Sequence, residues 1–201
     1  MDAAVLVPVK DFRQAKARLA SVVSPTDRIR LARWTAERVL AAAAPLPVFV
    51  ACDDANVAEW AESAGATVLW RPEVGLNAAV QDGIATLAGA GIEHVIVAHS
   101  DLACPSSLAD LVMSGGAVLV PDTRSDGTNV IAIPTNCGFE PAYGSQSFHR
   151  HLAHVLELGL PVRVQRDTLL ALDIDTPDDL AHPLIKKALP TWLQTNLASR
   201  P

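Results

Sequence analysis

The sequence is short of cysteine, aromatic side chains and positive charge, and the shortages narrow what the protein can be. Three cysteines, Cys52, Cys104 and Cys137, stand far apart and are odd in number. That count matches no closed disulfide framework and the spacing matches no zinc knuckle, so they read as reduced small hydrophobes. Sixteen Lys and Arg against 22 Asp and Glu leave a formal net charge of -6, which excludes the broad basic face of a nucleic-acid binder. No apolar run approaches the ~20 residues that cross a bilayer. The start, Met1-Asp2-Ala3-Ala4-Val5, also lacks the basic segment of a signal peptide. The expectation is a soluble cytoplasmic protein with no membrane partner. Glycine-rich phosphate loops are missing too: neither Gly-x-x-x-x-Gly-Lys-Ser/Thr nor Gly-x-Gly-x-x-Gly occurs. A bound nucleotide would therefore meet side-chain cations where other folds offer backbone amides.

What is present is enough apolar material, 50% of 201 residues, for a full core in a single domain spanning 1–201. Residues 3–9 form a Val-rich run suited to a central parallel strand buried on both faces. A polar, basic loop occupies 10–24. Pro25-Thr26-Asp27 then opens a helix to about residue 44, with Ser24 or Thr26 as N-cap and Pro45 and Pro47 beyond its end. A strand at 48–52, a helix at 56–64 and a strand at 66–70 set the β-α-β-α-β order of an α/β domain. Further helices are expected at 76–90, 105–113 and 146–158, and strands at 94–98, 117–120, 129–134, 162–165 and 169–172. Thr176-Pro177 opens a last helical region that breaks at Pro183 and leaves a C-terminal helical tail over about 183–201. The predicted fold is α/β, a mostly parallel but mixed sheet flanked by helices.

Two apolar strands end in carboxylates: His94-Val95-Ile96-Val97-Ala98-His99-Ser100-Asp101 and Leu169-Leu170-Ala171-Leu172-Asp173-Ile174-Asp175. Ligands of open α/β sheets bind at the carboxyl ends of strands. Separated Asp groups brought together there suit Mg²⁺, and magnesium in turn points to a polyphosphate. Asp173 and Asp175 lie two apart and face one side of an extended segment; with Asp101 they form an oxygen donor set for one or two ions. Asp178 and Asp179 read as first-turn helix acids that favour the macrodipole. Lys10, Lys16 and Arg18 follow the first strand, in a stretch that also carries Arg13, Arg28, Arg30 and Arg33. Spacing alone describes a solvated basic loop equally well; the position directly after a buried strand favours phosphate contact.

Other stretches carry suitable groups without fixing their use. Pro72-Glu73-Val74-Gly75-Leu76-Asn77 runs into a helix start, where free N–H groups suit a phosphate or a base edge and Asn77 offers a donor and an acceptor. Asp126-Gly127-Thr128-Asn129 and Tyr143-Gly144-Ser145-Gln146-Ser147-Phe148 set hydroxyls and amides beside glycines. They suit a phosphate or a carboxylate, although a turn and an N-cap describe them as well. His151 and His154 share a helix face while His149 lies elsewhere, which speaks against a three-histidine metal site; His149 and His154 read as surface or cap groups. Trp34, Trp60, Trp70 and Trp192 read as core or interface residues, the last in a segment compatible with self-association as a homodimer.

Taken in order, Val7-Pro8-Val9-Lys10, Lys16-x-Arg18-Leu19, Gly75-Leu76-Asn77-x-Ala79, Ser100-Asp101-Leu102, Gly127-Thr128-Asn129, Tyr143-Gly144-Ser145-x-Ser147-Phe148-x-x-His151 and Asp173-Ile174-Asp175-Thr176-Pro177 resemble one family. It is the 2-phospho-L-lactate or phosphoenolpyruvate guanylyltransferases of coenzyme F420 biosynthesis, and the likeness runs from about residue 5 to 180. The Asp-Ile-Asp-Thr-Pro element is similar to that of many nucleotidyltransferases; the Gly-Thr-Asn and Tyr-Gly-Ser elements are narrower. The resemblance implies a single-domain, GT-A-like and Rossmann-like nucleotidyltransferase. It would move GMP from GTP to phosphoenolpyruvate, 2-phospho-L-lactate or 3-phospho-D-glycerate, release pyrophosphate, and pass its product to a downstream transferase. By position it implies that Asp101, Asp173 and Asp175 hold Mg²⁺, that Lys10, Lys16 and Arg18 meet the GTP phosphates, and that Asn77 lies near the nucleoside. Thr128, Gly144 and Ser147 would meet the acceptor's phosphate or carboxylate. Tyr143 stands where Phe is common, and Ser125-Asp126 replaces a more Gly/Thr-rich approach to Gly127. Two other readings stay open. One is a molybdopterin-type guanylyl- or cytidylyltransferase, which usually has a Gly-rich first loop; the other is a non-catalytic nucleotide-binding regulator on the same fold.

Overall fold

The computed structural model describes residues 2–72, 74–166 and 169–198. Its strands are β1 (Ala3–Pro8), β2 (Val48–Cys52), β3 (Thr67–Trp70), β4 (His94–Ala98), β5 (Ala117–Pro121), β6 (Thr128–Pro134) and β7 (Val162–Val164). They form one sheet in the order β3-β2-β1-β4-β6-β5-β7. Every pairing is parallel except the two made by β6, which runs against β4 and β5. The sheet is thus mostly parallel and mixed, as the alternation of elements predicts.

The helices are α1 (Pro25–Ala42), α2 (Ala55–Ser63), α3 (Gly75–Gly89), α4 (Ser147–Glu157), α5 (Pro177–Ala181), α6 (Pro183–Ala188) and α7 (Thr191–Ala198). Successive residues of β1 serve opposite layers, as the two-residue period of a strand requires. Val5 and Val7 pack with Val39 of α1 and Val57 of α2, while Ala4 and Leu6 pack with Ile84 and Leu87 of α3. Gly83 lets α3 approach the sheet, since a Cβ there would stand 2.6 Å from a Leu6 methyl. Ser24 is the N-cap of α1: its hydroxyl accepts from the Asp27 N–H at 3.1 Å, ahead of Pro25 at the first helical position.

A third apolar cluster joins the C-terminal helices to the loop after β1. Ile185, Leu189 and Leu193 are buried with Leu19, Leu31 and Ile174, so α5 to α7 brace the segments that carry Lys16 and Asp175. Residues 199–201 of the expected tail, and Glu73, lie outside the described residues. Among the tryptophans, Trp60 is buried edge-on against Phe12, while Trp70 is 47% exposed on the edge strand β3, outside the core.

Two expected elements differ. The helix at 105–113 reduces to one 3-10 turn at Ala109–Leu111. Ser106 and Ser107 are poor helix formers, and Leu108 and Leu111 reach the core without a full helix. The strand at 169–172 is a 3-10 turn over Leu169–Ala171 with a single antiparallel bridge between Leu102 and Asp173. A four-residue apolar run carries no period that separates strand from turn.

Candidate functional site

β1 pairs with β2 on one side and β4 on the other, so the chain reverses its direction of winding between β1 and β4, the crevice in which open α/β sheets bind ligands. Because β6 is antiparallel, its first residues, Thr128 and Asn129, arrive at the edge where β1 and β4 end. The His99 N–H donates to the Asn129 carbonyl at 3.0 Å across that edge. The Asp173 segment is fastened to the Asp101 loop by two backbone hydrogen bonds, Ala103 N–H to Leu172 O at 2.8 Å and Ile174 N–H to Asp101 O at 3.2 Å. Three carboxylates from two distant segments thereby meet.

Lys16 enters their midst. Its Nζ lies 3.2 Å from Asp101 Oδ2 and 3.4 Å from Asp175 Oδ1, with only 5% of its side chain exposed. The residue holds a left-handed backbone (φ 58°, ψ 31°), which costs a non-glycine residue about 1 kcal/mol or more and which the two ion pairs offset. Burial works against the Lys16 ammonium, but Asp101 and Asp175 outweigh it and raise its pKa. Burial likewise works against the Asp101 carboxylate, and Lys16, helped by His99, outweighs it and lowers that pKa. Asp173 goes the other way: burial, then the charges of Asp101 and Asp175, push it up to about 7. The Asn129 side-chain amide opposes this, donating to Asp173 Oδ1 at 3.3 Å and to the Leu170 carbonyl at 3.1 Å.

Asp101 Oδ1 is buried and, among the described residues, has no hydrogen-bond partner. An orphaned carboxylate oxygen beside two more carboxylates fits a hard cation. Among the described residues no three such groups enclose an ion by themselves. Such a set could hold an ion like Mg²⁺, which takes one or two carboxylates and completes its shell with water and phosphate oxygens.

The facing wall offers uncharged donors and acceptors, with Asp122, Arg124 and Asp126 lining the same space. A cavity of about 600 Å³ is lined by Asp101, Asp173 and Asp175 on one side and by Thr128, Gly144 and Ser147 on the other. The Thr128 N–H donates to Ser147 Oγ at 3.1 Å, and Thr128 Oγ1 lies 2.9 Å from His151 Nδ1. Gly144 has φ 122°, a backbone that side chains rarely adopt. The Asp126 carboxylate accepts from the Gln146 N–H at 3.1 Å, so part of its charge is spent on the start of α4. Asp179 sits in the first turn of α5 as expected and also caps the helix, accepting from the Thr176 N–H at 2.6 Å.

The remaining candidates sit around this centre. Arg18 is exposed at the mouth of the same cavity, and Lys10 is exposed in an adjoining space of about 200 Å³ that shares His99, Asp101 and Asp175 with it. Asn77 is occupied: its Oδ1 accepts from the Tyr143 N–H at 2.7 Å and its Nδ2 donates to the Tyr143 carbonyl at 3.4 Å, bracing the 143–147 loop on α3. Gly75, Leu76 and Ala79 line a shallow recess with Asp53 and Arg71. Size alone does not mark the site, since a space of about 680 Å³ beneath the C-terminal helices has mostly apolar walls and one charged residue, Lys186.

Sequence reasoning missed Asn129 as the group that orients Asp173, His99 as a wall of both spaces, and His151 as a partner of Thr128. His99 stands two residues before Asp101 and so was open to being noticed. The contacts of Asn129 and His151 cross 44 and 23 positions, and nothing local announces them.

A mostly parallel sheet whose switch point gathers three carboxylates and a buried lysine is the build of a nucleotidyltransferase. The fold agrees: a nucleotidyl transferase from Methanothermobacter thermautotrophicus superposes with a TM-score of 0.65 at 14% identity over 99% of both chains. A Desulfovibrio desulfuricans protein, provisionally assigned as a nucleotide-diphospho-sugar transferase, does so with 0.76 at 16% identity over 98% of both. The model of the guanylyl transferase CofC-like family matches residues 3–188, and the chain belongs to that family. A Sphaerobacter thermophilus relative named phosphoenolpyruvate guanylyltransferase is 34% identical over 189 residues, 90% of this chain and 91% of its own. At 30% identity stand a 2-phospho-L-lactate guanylyltransferase of Methanothermobacter thermautotrophicus, over 92% of this chain and 85% of its own, and a 3-phospho-D-glycerate guanylyltransferase of Phenylobacterium zucineum, over 88% and 87%.

Proposed function

We propose that this guanylyltransferase moves GMP from GTP to a three-carbon phospho-acid and releases pyrophosphate, as a step of coenzyme F420 biosynthesis. Phosphoenolpyruvate is the first acceptor to test, because the relative at 34% identity carries that name and those named for other acceptors stand at 30%. The observation that carries the reading is the convergence of Asp101, Asp173 and Asp175, two of them paired with Lys16, in a cavity also lined by Thr128, Gly144 and Ser147. One wall suits a cation and a polyphosphate, and the other suits an uncharged grip on an anion.

Asp101 and Asp175 would hold Mg²⁺, with Asp173 beside them; the ion supplies positive charge that screens the polyphosphate and its leaving group. Lys16, Arg18 and Lys10 would turn to the GTP phosphates as charge-assisted donors. With a cation held by Asp101 and Asp175, Lys16 would be released toward the phosphates. Asn77 supports the nucleoside end by holding the loop at Tyr143. Thr128, Gly144 and Ser147 would hold the acceptor so that its phosphate oxygen lies in line with the α-phosphorus of GTP. No side chain has to take a proton from the nucleophile, since the acceptor phosphate is already an anion near neutral pH. The product is a mixed phosphoanhydride, chemically suited to serve as donor to a later transferase.

The test is incubation with GTP, Mg²⁺ and each of the three phospho-acids, each nucleoside triphosphate being run in parallel, with the product identified by mass and pyrophosphate counted. A guanosine-diphospho-acid product with stoichiometric pyrophosphate is expected. Binding of GTP with no pyrophosphate from any acceptor would sink the enzymatic reading in favour of a nucleotide-binding regulator, and product from CTP alone would move the site to a cytidylyltransferase.

A further inference from the structure

His151 is wholly buried on α4 and points both ring nitrogens at defined partners. The backbone N–H of Ala142 lies 2.8 Å from Nε2. A backbone N–H only donates, so Nε2 must offer a lone pair and the ring proton must sit on Nδ1. Burial, with the charges of Arg150, His99 and His154, holds the imidazole neutral by pushing its pKa down to about 4; a protonated ring would set two donors against each other at Nε2. Nδ1–H therefore donates to Thr128 Oγ1 at 2.9 Å.

This decides what the Thr128 hydroxyl does. With a lone pair engaged by His151, its own proton is left to give, and among the described residues no protein group receives it. The same holds for Ser147, whose oxygen is engaged by the Thr128 N–H. Both residues line the 600 Å³ cavity, each 2% exposed. A free hydroxyl rotates between donor and acceptor roles, whereas an anionic ligand needs only donors.

We propose that His151 is a positioning residue that fixes the Thr128 hydroxyl as a hydrogen-bond donor to an anionic oxygen of the acceptor. This rests on the reading that Thr128 meets the acceptor. The chain of groups Ala142 N–H, His151, Thr128 is thus a relay of orientation in which no proton is transferred.

The experiment is a double-mutant cycle read as the KM for phosphoenolpyruvate, or for whichever of the three phospho-acids is turned over, alongside the KM for GTP. Thr128→Val should raise the acceptor KM roughly ten- to a hundredfold, the loss of a hydrogen bond to a charged group, and leave the GTP KM in place. His151→Leu should raise the acceptor KM about tenfold in the wild-type background and add nothing in the Thr128→Val background. An equal His151→Leu effect in both backgrounds, or an equal rise in the GTP KM, shows a packing role and overturns the proposal. If Thr128→Val leaves the acceptor KM unchanged, the placement of the acceptor at Thr128 fails and the proposal with it. A measurement on the wild-type protein covers poor folding of the His151 variant: the ring ¹⁵N spectrum at pH 7 should show Nδ1 protonated and Nε2 bare. The opposite tautomer, or an imidazolium, overturns the proposal irrespective of turnover.

Discussion

The two walls of the cleft solve the same problem, holding an anion, by opposite means. The wall of Asp101, Asp173, Asp175 and Lys16 is built from full charges, arranged so that a lysine occupies the carboxylates when nothing else does. The wall of Thr128 and Ser147, backed by His151, is uncharged at those groups and engages a lone pair on each hydroxyl. On the proposed reading the charged wall is exchangeable, because Lys16 would give way to a divalent cation. The neutral wall is preset, because its donors are fixed by a backbone amide and need no exchange. A polyphosphate that arrives with its own counter-ion suits the first wall, and a small acid that arrives alone suits the second.

The comparison is broken most severely at its charged side. Asp101→Asn keeps the volume and the fold and removes the carboxylate on which Lys16 and the orphaned oxygen both depend. We expect a soluble protein whose turnover falls by roughly a thousandfold or more, the loss of an electrostatic group at the reacting phosphate; circular dichroism confirms the fold and pyrophosphate release measures the loss. A folded Asp101→Asn protein with near wild-type turnover removes the charged wall from the mechanism.

Lys16→Met comes next. With the ammonium gone, Asp101 and Asp175 lose the cation between them, and only Arg18 and Lys10 remain for the GTP phosphates. Turnover should fall about a hundredfold. Thermal stabilisation by Mg²⁺ alone should increase relative to wild type, since the ion no longer competes with a resident cation. A smaller shift with Mg²⁺ in the variant contradicts the exchange of lysine for metal.

How these walls were read from sequence differs as much as how they are built. The apolar strands, their carboxylate ends and the basic loop are local signals, and the sheet order brings them together where the alternation of elements predicts. The neutral wall was visible only as motif fragments. Thr128 and Ser147 each had a sufficient local explanation, a turn and a helix start, and only the antiparallel run of β6 sets them side by side. Lys16 was read as a phosphate ligand, while its present partners lie 85 and 159 positions away, a juxtaposition no spacing encodes. The misplaced elements at 105–113 and 169–172 fail for a simpler reason: a stretch led by Pro and two Ser, and a four-residue apolar run, bury their side chains equally well without a regular helix or strand.

Asn129 joins the walls, and its loss sharpens the boundary between them. Asn129→Ala frees Asp173 Oδ1 and leaves the Leu170 carbonyl without its donor. A buried acceptor left unpaired costs about 1–3 kcal/mol, which urea unfolding would measure. Turnover should drop about tenfold, with the acceptor KM little changed, because the residue serves the charged wall. A rise confined to the acceptor KM would assign it to the neutral wall.

The smallest effect separates the walls by pH. The unfolded His151 ring takes a proton near its ordinary 6.5, whereas the folded ring resists until about 4. Its contribution to stability is therefore present above pH 6.5 and is lost as the pH falls from 6.5 to 4. Between pH 6.5 and 5.5 that loss amounts to about 1 kcal/mol. Asp173 works the other way: its folded pKa, pushed up to about 7, means that acid relieves a charge the fold holds at a cost. In metal-free buffer the two slopes oppose each other, and the wild-type profile conceals both. The difference between the urea-unfolding profiles of wild type and His151→Leu isolates the histidine, since Asp173 is common to both. Wild type should lose about 1 kcal/mol relative to the variant over that pH unit. Parallel profiles would mean that the folded ring titrates as the unfolded one does, and a ring that accepts a proton in the native state cannot hold Nε2 bare for the Ala142 N–H.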